Sequence, residues 1–213
     1  MTRFLATLLF AFSAVALGSA ADISKVNGAI DVEAGREAGD VETVNGSITI
    51  GSDARVRGVE TVNGSIRLEP RAAAKSVETV NGAVTLSEDV LVSGDAGTVN
   101  GSLTLMRGTR VEGRLENVNG ALRLEGATVR GGIETVNGDV FIGAGSRVDG
   151  GIRVEKPSGG SWRKSDRLPR ITIESGAEVG GTLRFEREVD LYVGAGAVVG
   201  PVEGVAPRRH ELP

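Results

Sequence analysis

The sequence predicts an all-β chain folded as a single-stranded, three-sided β-solenoid, and three observations carry that prediction. Val-Asn-Gly occurs seven times, with successive asparagines 18 or 19 residues apart. Aliphatic residues recur at fixed places in each unit and never at helical spacing. Within the unit, apolar positions also fall six apart, as in Val44, Ile50, Val56, Val62 and Leu68, so three sixes make one 18-residue turn. A period of this length means stacked units, each touching only its neighbours.

Taken in order, residues 1–21 read as a secretory signal peptide. Arg3 is a positive start, Phe4 to Leu17 are largely apolar, and Gly18-Ser19-Ala20-Ala21 supplies small residues for cleavage. The stretch is shorter than the roughly 20 apolar residues of a membrane span, and no later segment is apolar enough to be transmembrane. The expectation is an exported protein, periplasmic or at the cell surface.

Residues 22–154 carry the repeats. Counting from Asn as zero, position −4 is Ile23, Val41, Val59, Val77, Ala96, Leu115 and Ile133. Position +3 is Ile30, Ile48, Ile66, Val84, Leu103, Leu122 and Val140, and +5 is Val32, Ile50, Leu68, Leu86, Leu105, Leu124 and Ile142. β-Branched and aliphatic residues two apart mark a short strand. Stacking coil on coil in parallel, about 4.8 Å apart, places like on like. Residues 155–170, EKPSGGSWRKSDRLPR, break the rhythm as an inserted basic loop. The pattern resumes without its asparagine at 171–200, where ITIESGAEVGG aligns with ITIGSDARVRG of 48–58. That makes roughly nine coils, followed by a tail at 201–213.

The structural corner is expected to be a ladder of Asn27, Asn45, Asn63, Asn81, Asn100, Asn119 and Asn137, each followed by Gly28, Gly46, Gly64, Gly82, Gly101, Gly120 or Gly138. Glycine at this step implies a positive φ, which only glycine adopts without cost. Asparagine tolerates the same region and can hydrogen-bond along its own stack. Asn-Gly is also a hairpin signal, and seven hairpins in an antiparallel meander are the competing reading. The consistent difference between Val-Glu-Thr-Val before the pair and Ser-Ile-Thr-Ile after it opposes that reading.

Composition narrows the function. The chain has no cysteine and one histidine, His210 in the expected tail, and its net charge is −4. No basic stripe suited to nucleic acid is present, and no nucleophile elbow or Cys/His metal set can be found. Catalytic, cofactor and metal residues are therefore expected to be none. Carboxylates recur at −3 (Glu42, Glu60, Glu78, Glu116, Glu134), where a solvated outer face and a cation- or glycan-facing stripe compete. Threonines recur at −2, and the pattern leaves open whether they face in or out. Trp162 with Arg163 and Lys164 forms an amphipathic contact group of the kind found at interfaces.

The V-N-G-x-I units resemble the adhesin-type repeats of bacterial envelope proteins, and ITIESGAEVGGTLRFEREVDLYVGAGAVVG is similar to the repeats of bactofilins, polymer-forming cytoskeletal proteins. The resemblance implies a right-handed β-helix with a triangular core. The chain departs from bactofilins in its export signal. The expected function is a non-enzymatic, structural or self-associating element of a bacterial cell envelope. The alternative is an adhesin-like binding module that contacts a glycan, peptidoglycan or protein through a solenoid face or the 155–170 loop.

Overall fold

In the computed structural model the described residues are 20–157 and 167–212. They form 27 strands arranged as three sheets in which every pairing is parallel. Ten strands make the first sheet, beginning with Ile23–Asn27, Val41–Asn45 and Gly58–Asn63. Ten make the second, beginning with Ile30–Val32 and Ile48–Ile50. Seven two-residue strands, from Ala73–Ala74 to Val198–Val199, make the third side, and bridges from Glu37 to Arg55 and from Arg55 to Ala73 extend it by two rungs. The three-sided solenoid is thus the observed fold, and the hairpin meander is excluded by the parallel pairing.

Register follows the repeat. Val41 pairs with Val59, Glu42 with Glu60, Thr43 with Thr61 and Asn45 with Asn63. The core is a set of aliphatic columns running the length of the rod. Ile48, Leu68, Leu86, Leu103 and Leu122 are each at most 1% exposed. Stacking identical shapes lets each coil fill the next at high density, the condition for a stable interior. Phe185 is the largest fully buried side chain and sits near the C-terminal end of the first-sheet column.

The orientation that the repeat pattern left open is visible on the first sheet. Most valines at −1 lie on the outside of the first sheet, with Val26 66% exposed and Val44, Val62 and Val80 half-buried, while Val136 is buried. The threonines at −2 turn inward instead: Thr43, Thr61, Thr79 and Thr98 are at most 4% exposed. The strand Val-Glu-Thr-Val-Asn alternates with period two, so −4 and −2 share the inner face and −3 and −1 the outer. The six-residue spacing through Val44 thus gives the length of a turn and does not trace a core column.

The 18- and 19-residue spacings also gain a physical account. From the third side into the first sheet, Val56 is followed by two residues before Val59, whereas Val92, Val111 and Val129 are each followed by three before Ala96, Leu115 and Ile133. The coil starting at Asn119 nevertheless keeps 18 because it drops a residue after its second strand, where only Glu125 and Gly126 separate Leu124 from Ala127. Ser146 in the next coil repairs this shortened corner: its Oγ accepts from the Gly126 N–H at 2.9 Å and the Ala127 N–H at 3.3 Å. That gives a buried serine a role at a position where Ala54, Ala72, Val90 and Ala127 stand in earlier coils.

The loop leaves between the first-sheet strand Ile152–Val154 and the second-sheet strand Arg170–Ile173, and both strands remain in register with their neighbours. Beyond it the solenoid continues further than the sequence suggests. Val202–Gly204 pairs with Leu183–Phe185, and Arg208–Glu211 pairs with Asp190–Val193. Residues 201–213 are therefore not a tail up to Leu212; they supply the last rungs. Within them, the His210 ring stacks on Tyr192 at 4.4 Å and meets Asp190 Oδ1 at 3.1 Å, so it belongs to the second sheet.

Candidate functional site

The Asn-Gly corner is where sequence regularity, hydrogen bonding and the inserted loop converge. Each asparagine Nδ2 donates to the Oδ1 of the asparagine one coil before it. The chain runs from Asn45 to Asn27 at 3.0 Å, and onward through Asn63, Asn81, Asn100, Asn119 and Asn137 at 2.9 to 3.0 Å. The expected ladder is present in full. The Oδ1 of Asn137 accepts from Arg187 Nη1 at 2.7 Å, so a guanidinium two coils on terminates the stack. Arg187 also donates to the Val136 carbonyl at 3.3 Å.

The glycines need a different explanation from the expected one. Only Gly28 (φ 103°) and Gly120 (φ 126°) have positive φ. At the others the constraint is the close approach of stacked corners: a Cβ on Gly64 would lie 1.9 Å from the Gly46 carbonyl oxygen, and on Gly101 1.8 Å from that of Gly82. Positive φ belongs to the next corner, eight residues after asparagine. Gly35, Gly108 and Gly145 adopt it there, as do Asp53 (φ 62°), Arg71 (φ 61°) and Asp89 (φ 57°).

Close approach turns each glycine carbonyl toward the interior, where it needs a donor. The buried threonines supply it. Thr61, Thr79 and Thr98 donate from Oγ1 to the carbonyls of Gly46, Gly64 and Gly82 at 3.0 Å. Asn117 stands in for threonine and donates Nδ2 to the Gly101 carbonyl at 2.9 Å. Among the described residues no buried side-chain nitrogen or oxygen is left without a partner.

Outside, the −3 carboxylates stack in register on the first sheet. Arg114 lies between two of them, 3.4 Å from Glu116 and 3.1 Å from Glu134. Glu42, Glu60 and Glu78 form no ion pair with the described residues. Burial against the neighbouring rungs, with Glu78, Glu42 and Asp40 adding repulsion, pushes the Glu60 carboxyl up to about 7. Burial likewise raises Glu42, Glu78 and Glu116.

The second corner carries a surface groove of about 810 Å3, bounded by Arg107, Arg123, Glu125, Phe141 and Glu174. The shortened corner at Glu125-Gly126 and the small residues Gly143-Ala144-Gly145 open it. Arg123 lies over the Phe141 ring at 4.2 Å. Sequence reading passed over this groove because its lining comes from several different coils.

Trp162, Arg163 and Lys164 lie outside the described residues. What is described of the loop is its root: Arg167 pairs with Asp139, whose Oδ1 also accepts from the Arg170 N–H at 2.9 Å. The loop therefore leaves from the Asn-Gly corner, beside the end of the ladder. Among the described residues no three His, Asp or Glu side chains gather as a metal site, and no helix is long and apolar enough to cross a membrane. No protein family, curated protein or solved structure matches this chain.

Proposed function

We propose that this protein is a non-enzymatic, exported structural element of a bacterial envelope, a stiff rod able to associate with copies of itself. The observation that supports this most is the continuity of bonding along the axis. Parallel sheets on three sides, the asparagine ladder and the inward threonines tie every coil to the next. Ten rungs at 4.8 Å give a rod about 45 Å long. The chain devotes its conserved positions within each repeat to coil–coil contact, which is the economy of a spacer or scaffold. The apolar stretch at the N-terminus, read as an export signal, supports placement outside the cytoplasm, and the resemblance to bactofilin repeats supports self-association.

The test is cell fractionation of the full-length protein combined with sedimentation and native mass measurement over a concentration series. Recovery in the envelope fraction with mass rising in whole-chain steps supports the reading. A strictly monomeric protein retained in the cytoplasm refutes it.

A further inference from the structure

Asparagine followed by glycine is chemically the least durable dipeptide in a protein, because glycine has no side chain to hinder attack by its own backbone nitrogen. In the reaction the Gly nitrogen, losing its proton, bonds to the Asn Cγ. The Cγ–Nδ2 bond breaks and ammonia leaves, giving a succinimide. Water then opens the ring to aspartate or to isoaspartate. The attacking N–H must be free of other bonds, so a hydrogen-bonded glycine amide protects its asparagine until the coil opens locally.

Seven such pairs stand in this chain, and the structure treats one of them differently. The amides of Gly28, Gly46, Gly64, Gly82 and Gly101 donate to the asparagine carbonyl of the following coil at 2.9 to 3.1 Å. The Gly138 amide is buried and donates to Thr135 Oγ1 at 3.0 Å. By the same pattern Gly120 would donate to the Asn137 carbonyl, but the coil after it changes course. There the Asn137 N–H still bonds to the Val118 carbonyl, but the first-sheet strand ends at Thr135 and the return bond from Gly120 to the Asn137 carbonyl is not made. The Gly120 amide makes no hydrogen bond to any described residue, its φ is 126°, and it is exposed to the water the second step consumes.

We propose that Asn119 is the site at which this protein undergoes spontaneous deamidation and isoaspartate formation, while the ladder holds the other six pairs as amides. The product is not neutral for the fold. An aspartate at 119 cannot donate to Asn100 Oδ1, a bond now 2.9 Å long, and isoaspartate adds a backbone carbon inside the stacked corner.

The experiment incubates the purified full chain at mildly alkaline pH, native and in urea, and follows each Asn-Gly pair by peptide mapping and enzymatic methylation of isoaspartate. Cleavage at arginine isolates Leu115 to Arg123, which contains Asn119 alone among the pairs. In the native chain this peptide converts about tenfold sooner than the others, the ratio set by a local opening cost of about 1.4 kcal/mol. In urea all seven convert at similar rates. Even conversion of the native chain, priority of another pair, or the same priority for Asn119 in urea would each overturn the proposal.

Discussion

Replacing Gly64 by alanine tests why the corner is glycine. The added Cβ would sit 1.9 Å from the Gly46 carbonyl oxygen and 2.5 Å from its carbon, so the two coils must part by more than an ångström. Four contacts span that gap: the Gly46 N–H to Asn63 carbonyl at 3.1 Å, Thr61 to Gly46 at 3.0 Å, Asn63 to Asn45 at 3.0 Å, and the Ile48 N–H to Ser65 carbonyl at 2.9 Å. At about 1 kcal/mol net for each, their loss costs about 4 kcal/mol. Gly145→Ala is the matched control. Its φ of 73° is left-handed, but nothing stands within 4 Å of the new methyl, so only the backbone penalty of about 1–2 kcal/mol applies. For a chain of this size the two losses correspond to falls in melting temperature of about 12 °C and about 4 °C. Thermal unfolding followed by the β-type circular dichroism signal reads both. Equal losses, or a larger loss at Gly145, would refute the steric account and restore a conformational one.

Thr79→Val removes the donor to the Gly64 carbonyl at nearly constant volume and is expected to cost about 1–3 kcal/mol, with Thr79→Ser closer to wild type, by urea midpoints. Arg187→Met leaves Asn137 Oδ1 without its charged donor and should cost about 1.5–3 kcal/mol, again by urea midpoint. Glu60 has its folded pKa raised from 4.5 to about 7, so folding favours the protonated form. Its contribution is fully present below 4.5 and lost as pH rises through 7; Glu60→Gln should flatten the dependence of melting temperature on pH across that window, and an unchanged slope would exclude Glu60 as its source.

The architecture was readable because in a parallel stack each residue meets its own counterpart one repeat away, so spacing in sequence becomes contact in space. The asparagine ladder is the clearest instance. What could not be read so directly was orientation within a strand. Thr43 and Val44 both recur, and hydrophobicity alone favours the valine inside, whereas the carbonyl of Gly28 requires the donor that only the threonine carries. The alternation of Val41, Glu42 and Thr43 holds the signal that decides between them. Corner glycines misled in a similar way, since repetition shows that glycine is required without showing whether φ or close approach requires it. Arg187 lies 50 residues from Asn137 across an irregular insertion, and no periodicity connects them. At the C-terminal end, Arg208-Arg209-His210-Glu211 is too polar to look like a strand, yet charge suits the exposed edge of a sheet.

Residues 41–48 and 59–66 are the same eight amino acids, VETVNGSI, and occupy the same places in adjacent coils. Recombination between two such stretches would remove or add one whole coil and leave the joined chain with every column, asparagine bond and corner in its former relation. The length of the rod is therefore quantised, changing by about 4.8 Å per event. A lineage can lengthen or shorten this protein without inventing new packing, so reach is the property on which variation acts most freely.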